Sequence, residues 1–191
     1  YVRKHYDFEP KELGLRLIHV GGEPGGGVPE VRNKIEQDWG CKVVEAMGNA
    51  DMAPVLFGEC PEQNGMHFVA SDYVICEIID SDTVMPLPFS DHMEGDLAYT
   101  SVDRECVPLI RLRTRDYVQV DTTPCQCGRK SFRLKCIGRT DDMLILKGVN
   151  VFPSAIQDVI NSFRPETTGE MRIVLYERPP LVNHALPIKV E

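Results

Sequence analysis

The chain has 191 residues and a mass of 21.5 kDa, which is enough for one domain or parts of two, since domains usually contain about 100–200 residues. Its composition of 42% hydrophobic and 26% charged residues is typical of globular chains and excludes collagen, coiled coils and low-complexity sequences. The formal net charge of −8 and the scattered Lys and Arg residues exclude a nucleic-acid surface, because phosphate binding needs clustered cations.

The location and the ends of the chain can also be read from the sequence. No apolar run approaches the ~20 residues that a membrane span needs, and Tyr1 does not open a signal segment. Seven cysteines without a secretory signal favour reduced thiols or a metal site over a disulfide framework. We therefore expect a cytoplasmic protein. The first residue is not Met, and Leu186–Glu191 resembles an unfinished strand, so we expect a fragment at both ends.

The first third of the chain predicts a βαβ unit. Leu15–Val20 is apolar enough for a buried strand, and it leads into the glycine-rich turn Gly21–Gly27. Pro29 suits the first turn of a helix that Gly40 ends. A second strand is predicted at Lys42–Met47. This order implies two parallel strands joined by a right-handed crossover.

From residue 66 to 121 the sequence changes to short β runs separated by turns, without helical periodicity. The predicted strands are Met66–Ala70, Tyr73–Asp80, Gly95–Val102, Val107–Arg111 and Tyr117–Val120. Two prolines within Ser81–Glu94 indicate a hairpin loop there.

The pattern of apolar and polar residues changes again after Gly138. Met143–Lys147 is predicted as a strand, Gly148–Asn150 as a turn and Pro153–Phe163 as an amphipathic helix. Met171–Tyr176 is predicted as a further strand. The pattern indicates the start of a separate small α+β unit.

The glycine-rich loop Gly21–Gly27 has the geometry in which backbone N–H groups approach a nucleotide. It lacks the Gly-Lys-Ser/Thr string of a phosphate loop, and an ordinary tight βα turn fits it equally well. Because the carboxylate of Glu23 opposes direct phosphate contact, a polar contact to a base or ribose is the better prediction.

Three thiolates and one imidazole form a second motif, in loops rich in Pro and Gly: Cys60, His67, Cys125 and Cys127. This is the ligand set of a closed structural zinc site. The spacing differs from that of standard zinc fingers, so reduced cysteines in turns are the alternative, and Cys136 is an alternative ligand. The remaining cysteines alternate with apolar residues and are predicted to be core side chains: Cys41, Cys76 and Cys106.

Two further strings carry charged residues, Arg113–Asp116 and Gly138–Pro153. An acid at a strand end can accept both ribose hydroxyls, and an Arg beyond it can hold phosphate. Taken alone, the same residues fit a solvated turn and an ion pair.

Taken in order, these strings resemble the adenylate-forming ligases. The strings are Gly-Gly-Glu-Pro, then Met47-Gly48-Asn49-Ala50-Asp51, then Arg-Thr-Arg-Asp, then the run from Gly138 to Ser154. The nearest branch is that of phenylacetate-CoA ligase and its relatives, including the deazaflavin-adenylating synthetases, and the likeness covers nearly all of the chain. The last two strings are the most specific for this branch.

The resemblance implies a fold in three parts. An α/β remnant of a large domain would occupy residues 1–65, a β-rich subdomain 66–138, and the start of a small mobile α+β domain 139–191. The fold class expected is therefore α/β plus a β subdomain, the C-terminal part of an adenylate-forming large domain followed by the small domain.

The resemblance also implies an activity. A carboxylic acid and ATP would give an acyl-AMP and pyrophosphate, and the thiol of CoA would then displace AMP. A phenylacetate-like aromatic acid is favoured. The expected cofactors and partners are ATP or AMP, Mg²⁺, CoA and a small carboxylic acid, with structural Zn²⁺ as above. No nucleic acid or membrane partner is expected. The resemblance does not decide between a monomer and a homodimer.

Residue roles follow by position in the resemblance. Nucleotide binding is implied for Gly22, Glu23 and Pro24 at the adenine, for Met47, Gly48 and Asn49 beside it, for Asp116 at the ribose hydroxyls and for Arg139 at ribose and phosphate. Asp141 would be the hinge about which the small domain rotates between half-reactions. The pantetheine channel of CoA is implied for Gly148, Val149 and Asn150.

The chain departs from the family pattern in four respects. Met47 stands where the family has an aromatic residue, and Asp51 stands for the magnesium-binding Glu. The phosphate loop of the family lies upstream of the first βα unit, and its catalytic lysine lies beyond Glu191. We therefore expect no adenylation by this chain alone. The alternative from another class is a non-catalytic, zinc-stapled nucleotide-binding or scaffold module.

Overall fold

The computed structural model describes residues 5–6, 8–22 and 26–191. The chain divides into two compact units. The first unit contains Tyr1–Ala70 with Pro124–Arg133, and the second unit contains Ser71–Thr123 with Leu134–Glu191. The predicted boundaries at 65 and 138 stay a prediction. None of the described helices is both long enough and apolar enough to cross a membrane.

The first unit is a sheet with one covering helix. Its elements are a 3₁₀ helix at Pro10–Leu13, β1 (Leu17–Gly21), α1 (Pro29–Trp39), β2 (Lys42–Asn49), β3 (Ala53–Glu59) and β4 (Met66–Phe68). Strands β1 and β2 are parallel, with Gly21 opposite Ala46, which confirms the predicted βαβ order. Strands β2, β3 and β4 pair antiparallel. Strand β3 was missed because its burial does not alternate along the strand.

The second unit contains the remaining strands and one helix. Its elements are β5 (Val74–Ile79), β6 (Glu94–Ser101), β7 (Leu112–Asp121), β8 (Arg133–Arg139), β9 (Leu144–Leu146), β10 (Val149–Val151), α2 (Pro153–Asn161), β11 (Met171–Ile173), β12 (Leu181–Val182) and β13 (Ile188–Val190). The first four lie in the order β8-β7-β6-β5, and two smaller sheets have the orders β10-β9-β12 and β11-β13. The antiparallel β5–β6 pair confirms the hairpin around Ser81–Glu94.

Three local predictions were wrong. Val107–Arg111 is not a strand, because Val107 and Arg111 have φ values of +53° and +50°, which an extended backbone does not allow. The segment is a loop, with Val107 65% exposed. The predicted turn Gly148–Asn150 is shifted: Lys147 and Gly148 carry the positive φ values of a two-residue hairpin turn, and Leu146 pairs with Val149 in β10. Cys106 is also exposed rather than in the core.

Helix α1 is anchored by a buried charge. Among its described residues the buried one is Arg32, which is 7% exposed. Arg32 Nη2 lies 2.8 Å from Glu59 Oε2, and Arg32 Nε donates to the Gly26 carbonyl at 2.9 Å. The same Glu59 oxygen accepts the Glu45 backbone N–H at 3.0 Å. Arg32 therefore joins the helix to the end of the glycine-rich loop, and the Glu59 carboxylate joins Arg32 to strand β2.

We expect Arg32→Met to lower the free energy of unfolding by about 3–5 kcal/mol, because it leaves the buried Glu59 carboxylate uncompensated. Lys34→Met on the same helix is the matched control. It removes an exposed pair with Asp38 that is worth at most about 0.5 kcal/mol. Urea unfolding of the purified chain measures both variants, and equal effects would contradict this account of Arg32.

Candidate functional site

A β-bulge shapes strand β7 at the Arg-Thr-Arg-Asp string. Asp96 of β6 pairs with Tyr117 and Ala98 pairs with Arg113, so that three residues of β7 lie opposite Leu97. Arg115 at the centre of the bulge has a φ of +70°. Bulges commonly occur beside active sites, where they redirect side chains.

Asp116 leaves this bulge beside the segment after β8. Arg139 Nη1 lies 3.3 Å from Asp116 Oδ1, while its Nε and Nη2 donate to the two Asp141 oxygens at 3.0 and 2.8 Å. The structure therefore brings three sequence-predicted site residues together. Burial raises the pKa of Asp116 above its usual range despite the nearby guanidinium, whereas hydrogen bonding from Arg139 lowers the pKa of Asp141.

The centre of the second unit is a carboxylate that the sequence did not single out. Asp96 is fully buried and pairs with Arg113, whose Nε lies 2.6 Å from Asp96 Oδ2. Ser81 Oγ donates to Asp96 at 3.2 Å, and Thr140 Oγ1 donates at 3.3 Å. The signal that could have identified it was an acid directly before the apolar residues Leu97 and Ala98 of β6, because a buried acid is stable only when it is paired.

A cleft of about 470 Å³ opens within the second unit, beside the bulge. Arg115, Tyr117 and Asn150 line it, together with Phe152. Tyr117 and Phe152 stack with ring centroids 5.5 Å apart. Asn150 thus lies on a wall of the same cleft as the bulge, while Val149 is 63% exposed at the hairpin of Gly148.

The remaining residues that the sequence predicts to bind the nucleotide lie in the first unit. Met47, Gly48 and Asn49 form the end of β2, and Gly22 with a φ of +79° follows β1 at the same edge. A Cβ atom on Gly48 would overlap the Pro54 carbonyl, which explains why the position is a glycine. Glu23 and Pro24 lie outside the described residues.

Asp51 occupies the turn between β2 and β3. Its backbone N–H donates to Asn49 Oδ1 at 2.8 Å, and the residue is exposed. The turn is therefore closed by the Asn49 side chain together with the Met52 N–H, which donates to the Asn49 carbonyl at 3.2 Å.

The four predicted metal ligands converge in the first unit. Their ligand atoms all lie within 4.8 Å of one another: Cys60, His67, Cys125 and Cys127. Cys60 follows β3, His67 lies in β4, and the other two flank the turn closed by the Gly128 N–H on the Cys125 carbonyl. Cys136 is exposed and is not a member of the cluster, so the alternative ligand is excluded.

Two separations in this cluster are close to those around a tetrahedral zinc ion. Zn–S and Zn–N bonds of about 2.3 and 2.05 Å imply S···S and S···N separations of about 3.8 and 3.6 Å. The observed distances are 3.7 Å between Cys60 Sγ and Cys125 Sγ and 3.4 Å between Cys127 Sγ and His67 Nε2. His67 Nδ1 lies 3.1 Å from the Ser131 carbonyl, which holds the proton on Nδ1 and leaves Nε2 as the ligand atom.

The thiols of the cluster differ in acidity. The Arg129 backbone N–H lowers the pKa of Cys127 to about 7, and the Cys127 backbone N–H lowers that of Cys125. Burial raises the pKa of Cys60 to about 11. The backbone N–H groups of this turn therefore favour the thiolate forms of Cys127 and Cys125, whereas burial disfavours the thiolate of Cys60.

Comparison with known proteins identifies the class of protein to which this fold and these strings belong. No protein-family model matches the chain. It is 32% identical over 183 residues to phenylacetate-coenzyme A ligase of Thermus thermophilus, and 36% identical over 153 residues to that of Pseudomonas putida. These matches cover 95% and 80% of the chain but only 40% and 34% of the relatives.

Solved structures give the same result. Structures of 2-hydroxyisobutyryl-CoA ligase in the postadenylation state align with a TM-score of 0.86 and 30% identity, over 99% of this chain and 39% of that one. An anthranilate-CoA ligase aligns at 17% identity with a TM-score of 0.58, which supports the fold alone. These are adenylate-forming acid-CoA ligases. Within them, the chain belongs to the phenylacetate-CoA ligase-like branch, and it spans about two fifths of the length of the relatives it matches.

Proposed function

We propose that the chain forms part of an AMP-forming acid-CoA ligase. In the first half-reaction, a carboxylate oxygen of the acid attacks the α-phosphorus of ATP and pyrophosphate leaves. In the second, the CoA thiol attacks the acyl carbon and AMP leaves. The 32% identity across 95% of the chain carries this proposal, because the match includes residues of both units.

The acid is proposed to be aromatic and similar to phenylacetate. The names of the curated relatives support this choice. The relative of known structure acts on 2-hydroxyisobutyrate according to its name, so a small hydroxy acid is the competing substrate class.

We assign Asp116 to the ribose hydroxyls, because a half-buried carboxylate at a bulge can accept two hydrogen bonds in a fixed direction. Arg139 would release part of its contact with Asp141 and approach the ribose and phosphate. Met47, Gly48 and Asn49 would border the adenine, and the exposed carboxylate of Asp51 would meet a hydrated Mg²⁺.

The second half-reaction is assigned to the segment after β8. Rotation about Asp141 would bring the β9–β10 hairpin with Gly148, Val149 and Asn150 to the pantetheine arm of CoA. Structures of the 2-hydroxyisobutyryl-CoA ligase in the postadenylation and thioesterification states align with this chain at TM-scores of 0.86 and 0.67. The difference supports a rearrangement between half-reactions in that relative.

The full-length parent protein is expected to exchange labelled pyrophosphate into ATP when given a suitable aromatic acid.

Asp116→Asn should lower kcat/KM for ATP about tenfold to a hundredfold, since it removes charge-assisted hydrogen bonds. Asp103→Asn in the exposed β6–β7 loop is the matched control and should have no effect. The non-catalytic module would be favoured if the parent binds AMP but exchanges no pyrophosphate with any acid of a broad panel, and if Asp51→Glu also gives no exchange. The 191-residue chain alone should give no exchange.

The raised pKa of Asp116 predicts a pH dependence of nucleotide binding. The carboxylate must be charged to accept the ribose hydroxyls, so affinity should fall as pH decreases through its raised pKa. Calorimetric titration of AMP into the parent from about pH 8 to about pH 4.5 should show this loss starting above the usual Asp range of about 3.9. Asp116→Asn should bind weakly at every pH, and a wild-type affinity that is constant over this range would rule out the assignment.

We also propose that the Cys₃His cluster binds a structural zinc ion. Four protein ligands close a tetrahedral site and leave no position for water, so a catalytic role is excluded by the ligand count. The distances and the His67–Ser131 hydrogen bond support this proposal. Reduced thiols as zinc ligands also fit the proposed location in the cytoplasm.

Chain purified without chelator is expected to contain about one equivalent of zinc, and Cys127→Ser should lose most of it. Cys106→Ser is the control, because Cys106 is exposed and outside the cluster. Elemental analysis gives the stoichiometry, and thermal unfolding should show destabilisation of Cys127→Ser alone. Less than about half an equivalent in the wild type, or equal loss in both variants, would disprove the zinc site.

A further inference from the structure

Thr140 joins the segment after β8 to the two central strands of the second unit. Its backbone N–H donates to the Arg115 carbonyl at 2.8 Å. Its hydroxyl lies 3.3 Å from both the Arg115 carbonyl and Asp96 Oδ2. Thr140 directly precedes Asp141, which carries the proposed rotation. The residue before the hinge is therefore bonded through both its main chain and its side chain.

The acceptors of these bonds are held in fixed positions. Asp96 is fully buried, and its carboxylate is bound by Arg113 and Ser81. Arg113 in turn donates to the Ser81 carbonyl at 2.8 Å. A buried carboxylate with these partners cannot reorient without losing several hydrogen bonds, so it presents a rigid acceptor to Thr140.

The bulge in β7 supplies the second acceptor. In a regular antiparallel ladder, the Arg115 carbonyl would point towards a neighbouring strand or away from the site. The φ of +70° at Arg115 turns its peptide group, and the carbonyl receives the Thr140 N–H instead. Because a left-handed conformation costs energy for a residue other than glycine, this bond offsets part of the cost of the bulge.

We propose that Thr140 is a positioning residue that holds the fixed end of the hinge, so that rotation is confined to Asp141 and the residues after it. This inference rests on the proposed two-step function. Without the hydroxyl, the residues before Asp141 would also move, and fewer molecules would reach either productive arrangement. Thr140 would then affect both half-reactions without contacting a substrate.

The first test measures hydrogen–deuterium exchange in the 191-residue chain and does not need activity. Thr140→Val keeps the shape of the side chain and the backbone N–H but removes the hydroxyl. We expect amides of residues 138–143 to exchange about threefold to tenfold faster in this variant, with strand β6 unchanged. Thr140→Ser should restore wild-type exchange. Thr122→Val, at an exposed threonine of the same unit, should have no effect.

The second test uses the full-length parent and follows each half-reaction separately. Thr140→Val should lower kcat of both half-reactions about threefold to tenfold, with the KM for ATP unchanged, and Thr140→Ser should restore both. A raised KM for ATP with unchanged kcat would overturn the proposal, because Thr140 would then act through Asp116 at the ribose. Unchanged exchange at residues 138–143 in Thr140→Val would also overturn it. If the wild-type parent is inactive, the proposed function is refuted. Hydrogen–deuterium exchange in the 191-residue chain would still decide the role of Thr140.

Discussion

The convergence of three chain segments at the Cys₃His cluster is the constraint on which the first unit depends. Cys60 and Cys125 are 65 residues apart, and closing a loop of that length costs about 4 kcal/mol of chain entropy. The proposed zinc ion would contribute on the order of 10 kcal/mol to folding, which is more than this cost. The cluster explains why residues 124–133 belong to the first unit, although the intervening chain forms the second.

Apolar contacts act at the same place. The ring of Phe132 stacks on Phe68 with centroids 5.5 Å apart and meets Phe57 edge-on at 5.9 Å. The Phe68 N–H donates to the Phe132 carbonyl at 3.1 Å. Metal ligands and aromatic rings therefore hold the same short segment, and the buried His67 lies between Met66 and Phe68 in β4. The zinc proposal thus concerns the scaffold and leaves the chemistry to other residues.

In the second unit, the bulge in β7 is the feature on which the proposed site depends. It removes three residues of β7 from the regular ladder, and two functional consequences follow from this single irregularity. Asp116 points towards Arg139, where a nucleotide ribose is proposed to bind. The Arg115 carbonyl points towards Thr140, where the proposed rotation begins. The proposed nucleotide contact and the proposed hinge thus both rely on one local departure from β geometry.

Sequence patterns predicted the local elements best where composition and periodicity agreed. The parallel β1–β2 pair and the helix between Pro29 and Gly40 were predicted from the sequence and are present. The four residues predicted as zinc ligands lie close together, and their role as ligands stays a prediction. The loop at Val107 was not, because its apolar residues look like a strand until positive φ values are known.

The buried polar network was the harder part to predict. Asp96 and Arg113 are brought together by strand pairing, and Arg32 pairs with Glu59, which lies 27 residues further along the chain. Partners so distant in sequence leave no periodic signal in a single chain. Thr140 lies within Gly138–Ser154, a segment that is specific for the family, but its proposed role depends on the Arg115 carbonyl, which the bulge reorients. Such roles come from tertiary contacts and cannot be read from residue spacing.

Activation of the acid as its adenylate can be tested by following the two carboxylate oxygens of the acid into the products. The full-length parent protein would be given the acid labelled with ¹⁸O in both carboxylate oxygens, together with ATP and CoA, and the products analysed by mass spectrometry. The account predicts one labelled oxygen in AMP and the other in the carbonyl of the thioester, because the carboxylate oxygen that bridges to phosphorus leaves with AMP. Label in inorganic phosphate, or none in AMP while thioester forms, would contradict it.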